Sequence, residues 1–305
     1  AFVARQDTNF HLRKQGITYR SGTKLVHVQS DRFVSTDDAS ALPPQDYVFL
    51  TVKADALVDV SKAVLSLIDE RTVVVSATNG IPPWYSYKQE ETIGRYLHNS
   101  SPREEFLKHI PAAQIIGAII ERSVTREGAN DVHHNSGTGY LIGEPDHRIL
   151  PRTLQLKDIL EQAGLSAKIS DNIHRDIWLK LLGNIFVNPL SVLTEETIGK
   201  MLAVPEVRER ARKMVNEALQ IGLKLGVLAV DDFDLGALEQ RCVGRLANHE
   251  TSMLRDFKKG NQLELHRIVE VVIMFAELPG VDMQVPELRA VRAELLDKLA
   301  ARAIR

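Results

Sequence analysis

The sequence lacks the residues that would mark a secreted, nucleic-acid-binding or membrane protein. Its 305 residues include one cysteine, Cys242, so no internal disulfide can form, as is typical of a reducing cytoplasm. The formal net charge is -2 without a long run of one sign, which argues against nucleic acid or an anionic membrane as the main partner. No apolar run approaches the roughly 18–20 residues of a membrane span, and no signal peptide is visible. We therefore expect a cytoplasmic protein.

Metal-binding patterns are also scarce. His133 and His134 are adjacent, and neighbouring residues on a strand point to opposite faces. No further cluster of ligands accompanies them, so we predict no metal site.

The hydrophobic pattern predicts two domains. A content of 44% hydrophobic and 26% charged residues is typical of globular proteins, and this length suits two domains. Residues 47–52 and 72–77 are apolar runs separated by a segment with helical period, which indicates a βαβ unit of a parallel sheet. From about Asn172 onward the period is almost wholly helical. We predict an α/β domain over residues 1–169 and an all-helical domain over residues 170–305.

Several further elements are expected from the same pattern. Strands are predicted at residues 114–124, 131–134 and 140–142, and long helices at residues 207–225, 235–258, 263–275 and 286–303.

The apolar segment of residues 176–190 contains the first candidate site. Lys180, Asn184 and Asn188 recur every fourth residue, so they fall within roughly one quarter of the helix circumference. Burying such groups without partners is costly, so the row indicates a polar cavity; a solvated stripe or an ordinary network between helices is the alternative. Pro189 disfavours helical geometry at Asn188, so we expect a break or kink there.

A second polar group follows later in the chain. Ser252 and Asp256 lie four residues apart on the predicted helix 235–258, and Glu264 lies within an apolar helical run beyond Gly260. Each alone fits an ordinary helix residue. Their combination with the row of Lys180 makes them candidates for a shared site.

These segments, in this order, resemble the motifs of the ketopantoate reductase (2-dehydropantoate 2-reductase) family. DIWLKLLGNIFVNPL resembles its first motif, and Ser252-Met253-Leu254-Arg255-Asp256 followed by Glu264 resembles its second. The resemblance spans essentially the whole chain. Further matches are Val52-Lys53-Ala54, Asn79-Gly80 and the segment HHNSGTGYLIGEPD at residues 133–146.

The resemblance implies a Rossmann-like dinucleotide-binding domain and a helical domain that together reduce a 2-keto acid with NADPH. The substrate would be ketopantoate, reduced to pantoate on the way to pantothenate and coenzyme A. Lys180 would be the general acid, stabilising the developing alkoxide and then protonating it. Glu264 would bind the substrate hydroxyl and help to hold Lys180. The keto acid would also be bound by Asn184, Asn188 and Ser252.

Three residues that follow predicted strands would meet the cofactor. The resemblance places Asn79 by the nicotinamide and Lys53 near the ribose and phosphates. Arg5 follows the opening strand, where an arginine accommodates the extra phosphate of NADP and an acidic residue suits NAD. Arg5 therefore argues for NADPH.

The sequence departs from the family at its start, where a strand, G-x-G-x-x-G and a helix would precede residue 1. The glycines of 137–143 are no substitute, since no buried strand leads into them and no helix follows. Either the sequence begins roughly 25 residues into the chain, or the protein has lost its first strand and phosphate-binding loop. We favour the first, because a sheet without that strand would expose two edges.

Three functions remain open. The first is a ketopantoate reductase. The second is a reductase of another 2-keto acid, whose pocket the bulky TNGIPPWY loop would reshape. The third is a non-catalytic protein that dimerises after losing its phosphate-binding loop. The apolar faces of the long helices are compatible with a homodimer in all three.

Overall fold

The chain folds into two compact units. The computed structural model describes residues 1–53, 56–87 and 101–303. Unit 1 comprises Ala1–Thr78 and Ser100–Ile173, and unit 2 comprises Asn79–Asn99 and His174–Arg305. The change of unit at residues 173/174 lies close to the sequence-based boundary at 169/170. The assignment of the segment that begins at Asn79 to unit 2 was not indicated by the periodicity.

Unit 1 contains two groups of strands. The larger is a seven-stranded sheet made of β2 (Ile17–Ser21), β3 (Lys24–Val28), β5 (Tyr47–Leu50), β6 (Val73–Ser76), β7 (Ile115–Arg126), β8 (Asp131–Gly143) and β9 (Ser166–Ile169). Its order is β3-β2-β8-β7-β6-β5, with β9 paired to β8. The smaller group is a parallel pair of β1 (Phe2–Val3) and β4 (Ser35–Thr36).

The predicted βαβ unit is present. β5 and β6 pair in parallel, with Tyr47 opposite Val73, and α2 (Leu57–Ala63) lies between them in the chain. Among the described residues β1 pairs with β4 alone and β5 with β6 alone. In the doubly wound strand order 3-2-1-4-5-6, the first strand would lie between β1 and β5. The arrangement is that of a Rossmann-like sheet without its first strand.

The core of unit 1 lies between the sheet and α4 (Pro151–Gln162). Leu156 and Leu160, one helical turn apart, pack against strand residues that include Val75 and Ile116. Leu156 and Ile116 are fully buried. The other helices of this unit are α1 (Gln6–Gln15) and α3 (Ser101–His109).

One strand prediction in unit 1 is wrong. The two short strands expected at 131–134 and 140–142 are a single strand, β8, which pairs along most of its length with β7. The polar residues between the apolar runs interrupt the sequence pattern but not the backbone ladder, because main-chain groups make those hydrogen bonds.

Unit 2 is built from helices around α5 (Ile173–Thr194). Trp178, Leu182 and Phe186 recur every fourth residue along α5 and are fully buried. The other helices are α6 (Ile198–Ala203), α7 (Pro205–Lys224), α8 (Leu235–Val243), α9 (Ser252–Lys259), α10 (Val271–Ala276) and α11 (Pro286–Ala303), with a π-helical turn at His266–Glu270.

Two predictions about helix boundaries are wrong. The expected break at Asn188 is absent, because α5 runs through Pro189 to Thr194; a kink there stays a prediction. Leu190 and Val192 beyond the proline are buried, so packing compensates for the lost main-chain hydrogen bond.

The helix expected at 235–258 is divided into α8 and α9. Gly244 ends α8, and the Thr251 side chain caps α9 by accepting a hydrogen bond from the Leu254 amide. The helix expected at 263–275 includes the π-helical turn before α10.

α5 also corrects the expectation about membrane spans. Within its 22 residues an 18-residue window reaches a mean hydropathy of 1.3, which is long and apolar enough to cross a membrane. Since 67% of that window is buried inside the protein, the helix equally fits the centre of a globular core.

Candidate active site

The polar row on α5 changes in burial along the helix. Lys180 and Asn184 are half-buried, whereas Asn188 is only 4% exposed. The opposite side of α5 carries fully buried Trp178 and Phe186, which fixes how the helix is rotated. The row is therefore a polar edge of an otherwise apolar core helix.

Lys180 and Asn79 meet in unit 2. The Lys180 ammonium donates a hydrogen bond to Asn79 Oδ1 at 2.9 Å. Asn79 comes shortly after β6, which ends at Ser76, and is the first residue of unit 2. The sequence indicated both residues but paired Lys180 with Glu264 and Asn79 with the cofactor. The contact between Lys180 and Asn79 is a finding of the structure.

The segment that follows Asn79 is anchored by buried aromatic side chains. Trp84 and Tyr85 are fully buried, and the Tyr85 hydroxyl donates to the His174 carbonyl at 2.8 Å. The Trp84 and Tyr85 rings also pack edge-on against His174. Burial raises the pKa of Tyr85 well above its ordinary value, which keeps the phenol a neutral donor. The bulk of these two residues therefore fills the interior of unit 2, which is the physical reason that this segment belongs to it.

Ser252 lies beside the buried end of the polar row. It is the exposed first residue of α9, and its neighbour Thr251 has its hydroxyl 2.6 Å from Ser191 Oγ on α5. Ser191 also donates to the Asn188 carbonyl at 2.7 Å. The hydroxyl contact holds the start of α9 next to Asn188, and a helix N-terminus favours an anion. Sequence reasoning missed Ser191 and Thr251, although threonine before a helix is a recognised capping signal.

Glu264 opens the turn that leads into the π-helix. Its side chain is half-buried, and its carbonyl accepts hydrogen bonds from the amides of Arg267 at 3.2 Å and Ile268 at 3.1 Å. The same turn lies against Gly80, since a Cβ built there would be 2.5 Å from the Arg267 carbonyl oxygen. The segment carrying Asn79 and the turn carrying Glu264 are thus in main-chain contact. That Glu264 itself holds Lys180 stays a prediction.

Unit 1 carries polar side chains at the carboxyl ends of its strands. Arg5 is exposed two residues after β1 ends at Val3, and Lys53 is exposed after β5. The hydroxyls of Ser76 and Thr78, at and after the end of β6, are buried without a hydrogen-bond partner among the described residues. Ligands of open α/β sheets bind outside the carboxyl ends of strands. That Arg5 and Lys53 contact a dinucleotide stays a prediction.

The glycines of residues 137–143 do not form a phosphate-binding loop. Gly137, Gly139 and Gly143 lie within the extended strand β8, as part of an antiparallel pair. They do not open a helix, so they cannot form a phosphate-binding loop.

The adjacent histidines point to different partners. His133 lies 3.7 Å from Glu127, whereas His134 Nδ1 lies 2.9 Å from Ser21 Oγ. Within the described part of the chain, no group of three or more His, Cys, Asp or Glu side chains could hold a metal ion.

Cys242 is expected to be unreactive in the folded protein. Its side chain is buried in α8, and burial raises the pKa of the thiol to about 11. Only about one thiol in a thousand is then ionised at pH 8, and the thiolate is the reactive form. We expect Ellman's reagent to label no thiol in the native protein and one after unfolding in guanidinium. Rapid stoichiometric labelling of the native protein would contradict this burial.

The fold and these residues define a class: a dinucleotide-binding type of α/β unit combined with a helical unit that carries a lysine–asparagine pair. The sequence profile "Ketopantoate reductase PanE/ApbA" matches residues 1–147, and the profile "Ketopantoate reductase PanE/ApbA C terminal" matches residues 172–295. A 2-dehydropantoate 2-reductase of Mesorhizobium japonicum is 33% identical over 266 residues, which cover 86% of this chain and 79% of that protein. The chain therefore belongs to the ketopantoate reductase family.

Solved structures show the same fold. A candidate ketopantoate reductase from Ralstonia solanacearum has a TM-score of 0.86 and 27% identity, covering 99% of this chain and 89% of its own. A D-mandelate dehydrogenase solved with NADH and anilino(oxo)acetate has a TM-score of 0.79 and 18% identity, covering 97% of this chain and 88% of its own. The second likeness concerns the fold alone.

Proposed function

We propose that this protein reduces 2-dehydropantoate (ketopantoate) to pantoate with NADPH, in the synthesis of pantothenate and coenzyme A. The observation that carries the proposal is the Lys180 ammonium, oriented by Asn79 at 2.9 Å at one end of the polar row on α5. Membership of the ketopantoate reductase family supports the substrate class.

Lys180 is the proposed general acid. The nicotinamide cofactor, when bound, would supply the hydride that reduces the carbonyl carbon, and the electron pair of the C=O bond would then lie on oxygen. A lysine ammonium at that oxygen stabilises the developing charge and then transfers its proton, so the product is the neutral alcohol and lysine becomes an amine. The Asn79 side-chain oxygen, Oδ1, accepts a hydrogen bond from the ammonium and holds it in place.

The substrate carboxylate is proposed to bind at the start of α9. Ser252 offers a hydroxyl at the N-terminus of that helix, where the orphan amides carry positive potential. Asn184 and Asn188 on α5 offer amide donors from the adjacent row. Glu264 is the proposed acceptor for the hydroxyl of the substrate.

Cofactor binding is proposed for Arg5, Lys53 and Asn79. Arg5 is proposed to contact the 2′-phosphate that distinguishes NADPH from NADH, because it is an exposed arginine just beyond the end of β1. Lys53 is proposed to lie near the ribose and phosphates, and Asn79 near the nicotinamide. We also propose a cytoplasmic location and a homodimer; size-exclusion chromatography with light scattering tests the dimer.

Steady-state kinetics test the function. We expect saturable quenching or enhancement of NADPH fluorescence, turnover of ketopantoate, and a higher kcat/KM with NADPH than with NADH. The protein should be expressed from its complete reading frame, so that any segment before Ala1 is included. A higher kcat/KM for another branched 2-keto acid would reassign the substrate within the same chemistry. No saturable binding of either cofactor would favour the non-catalytic alternative.

A further inference from the structure

Gly80 touches the main chain of the π-helical turn that follows Glu264. Its φ of +72° lies in the left-handed region that favours glycine. A Cβ built on Gly80 would lie 2.5 Å from the Arg267 carbonyl oxygen and 2.8 Å from Arg267 Cβ, closer than real Cβ contacts. These atoms are fixed by the turn and cannot rotate away. Any other residue at position 80 must therefore displace the segment.

The contact joins two parts of the proposed site. On one side, Asn79 is bonded to Gly80 through a peptide and accepts the hydrogen bond of Lys180. On the other side, Arg267 donates its amide to the Glu264 carbonyl and belongs to the π-helical turn His266–Glu270. Turns of this type occur frequently at functional sites. Here the main-chain atoms of the turn face Gly80, and only glycine, which has no Cβ, can approach them this closely.

The segment cannot easily absorb a displacement further along. Ile81 is buried, and the fully buried Trp84 and Tyr85 follow, with the Tyr85 hydroxyl bonded to the His174 carbonyl. With the aromatic end fixed, a Cβ at position 80 would act mainly on the preceding residue, Asn79.

We propose that Gly80 is a positioning residue, whose missing side chain lets the segment rest on the π-helical turn and so places the Asn79 amide against Lys180. This inference rests on the function proposed above. A Cβ at position 80 would move Asn79 and remove a hydrogen bond to the charged form of Lys180. The neutral amine would then be favoured, because the lost bond stabilised the ammonium.

Chemical labelling tests the placement without substrate or cofactor. Gly80→Ala is compared with Gly226→Ala, a matched control in unit 2 with a φ of +66° and no heavy atom within 4 Å of a built Cβ. The probe is limiting acetic anhydride at fixed pH, read by peptide mass spectrometry with exposed Lys213 as internal standard. We expect Lys180 to react at least about threefold faster in Gly80→Ala, because more of it is neutral, and at the wild-type rate in Gly226→Ala.

Kinetics supply a second readout. In Gly80→Ala we expect kcat to fall about tenfold or more, since small misplacements of catalytic groups have effects of this size. The alkaline limb of kcat against pH should move to lower pH. Adding Gly80→Ala to Asn79→Ala should cost little further, because the two changes act through one hydrogen bond.

The outcomes separate this inference from the proposed function. Gly80→Asn is the second variant in case alanine prevents folding, because asparagine tolerates positive φ yet its Cβ meets the same atoms. The positioning role would be overturned if folded Gly80 variants kept the wild-type labelling rate of Lys180 and the wild-type kcat. It would also be overturned if the effects of Gly80→Ala and Asn79→Ala on kcat were fully additive. A wild-type protein without 2-keto acid reductase activity would instead remove the proposed function, while the labelling comparison would still decide the contact.

Discussion

Replacing Lys180 by alanine is expected to lower kcat for ketopantoate at least about 100-fold, because a general acid typically contributes that much or more. The variant loses both the charge that stabilises the alkoxide and the proton that neutralises it. The side chain is half-buried and its removal leaves Asn79 Oδ1 without the 2.9 Å contact, but the fully buried side of α5 is unchanged. We therefore expect a catalytic defect in a protein that still folds.

The design separates loss of a proton donor from general damage. Lys213→Ala, an exposed lysine on α7, is the control and should retain wild-type kcat. The alkaline limb of the pH profile should disappear in Lys180→Ala, and small primary amines added to the assay should restore part of the rate. A loss below tenfold would remove Lys180 from the role of general acid.

Replacing Arg152 by methionine is expected to destabilise unit 1 by about 3 kcal/mol. This is the lower end of the range for removing one partner of a buried ion pair, because Arg152 is 24% exposed. The Glu144 side chain is 1% exposed and accepts hydrogen bonds from Arg152 Nε at 2.9 Å and from the Thr153 hydroxyl. Glu144 in turn raises the pKa of the Arg152 guanidinium. Without Arg152 the carboxylate keeps its burial but loses its counter-charge.

Chemical denaturation, monitored with two spectroscopic probes, measures this loss of stability. Both tryptophans, Trp84 and Trp178, belong to unit 2, so their fluorescence reports that unit, whereas far-ultraviolet circular dichroism reports both. The circular dichroism transition should move to lower denaturant more than the fluorescence transition. Arg148→Met, which breaks the more exposed pair with Asp146, is the control and should cost less than about 1 kcal/mol. Equal effects of the two substitutions would show that Glu144 does not depend on Arg152.

Much of the fold could be predicted because burial leaves a periodic trace in the sequence. The runs at 47–52 and 72–77 form the parallel pair β5 and β6. β6 is buried on both faces, as its continuous run predicts, whereas β5 exposes Phe49. The helical period after Asn172 likewise anticipated unit 2. The predictions were wrong where tertiary packing or capping outweighed the local sequence pattern. Pro189 lies inside α5 because buried neighbours support the helix, and an apolar pattern continuous over 235–258 concealed the break between α8 and α9.

From the sequence, the candidate site could be predicted only as separate groups of residues, each within one element. Lys180, Asn184 and Asn188 share a face because helical geometry relates residues within one element. No comparable rule relates Lys180 to Asn79, 101 residues away in the sequence. That pairing depends on how a segment anchored by buried aromatic rings packs in unit 2.

The amino-acid sequence by itself determined the two kinds of domain, the polar row on α5 and the family motifs, since each depends on short-range spacing. Only the tertiary structure decided that Asn79 holds Lys180 and that Ser191 ties the start of α9 to the row. It also decided that Gly80 rests on the π-helical turn. These contacts join elements far apart in the chain, and their geometry follows from packing of the whole unit, which no local pattern encodes.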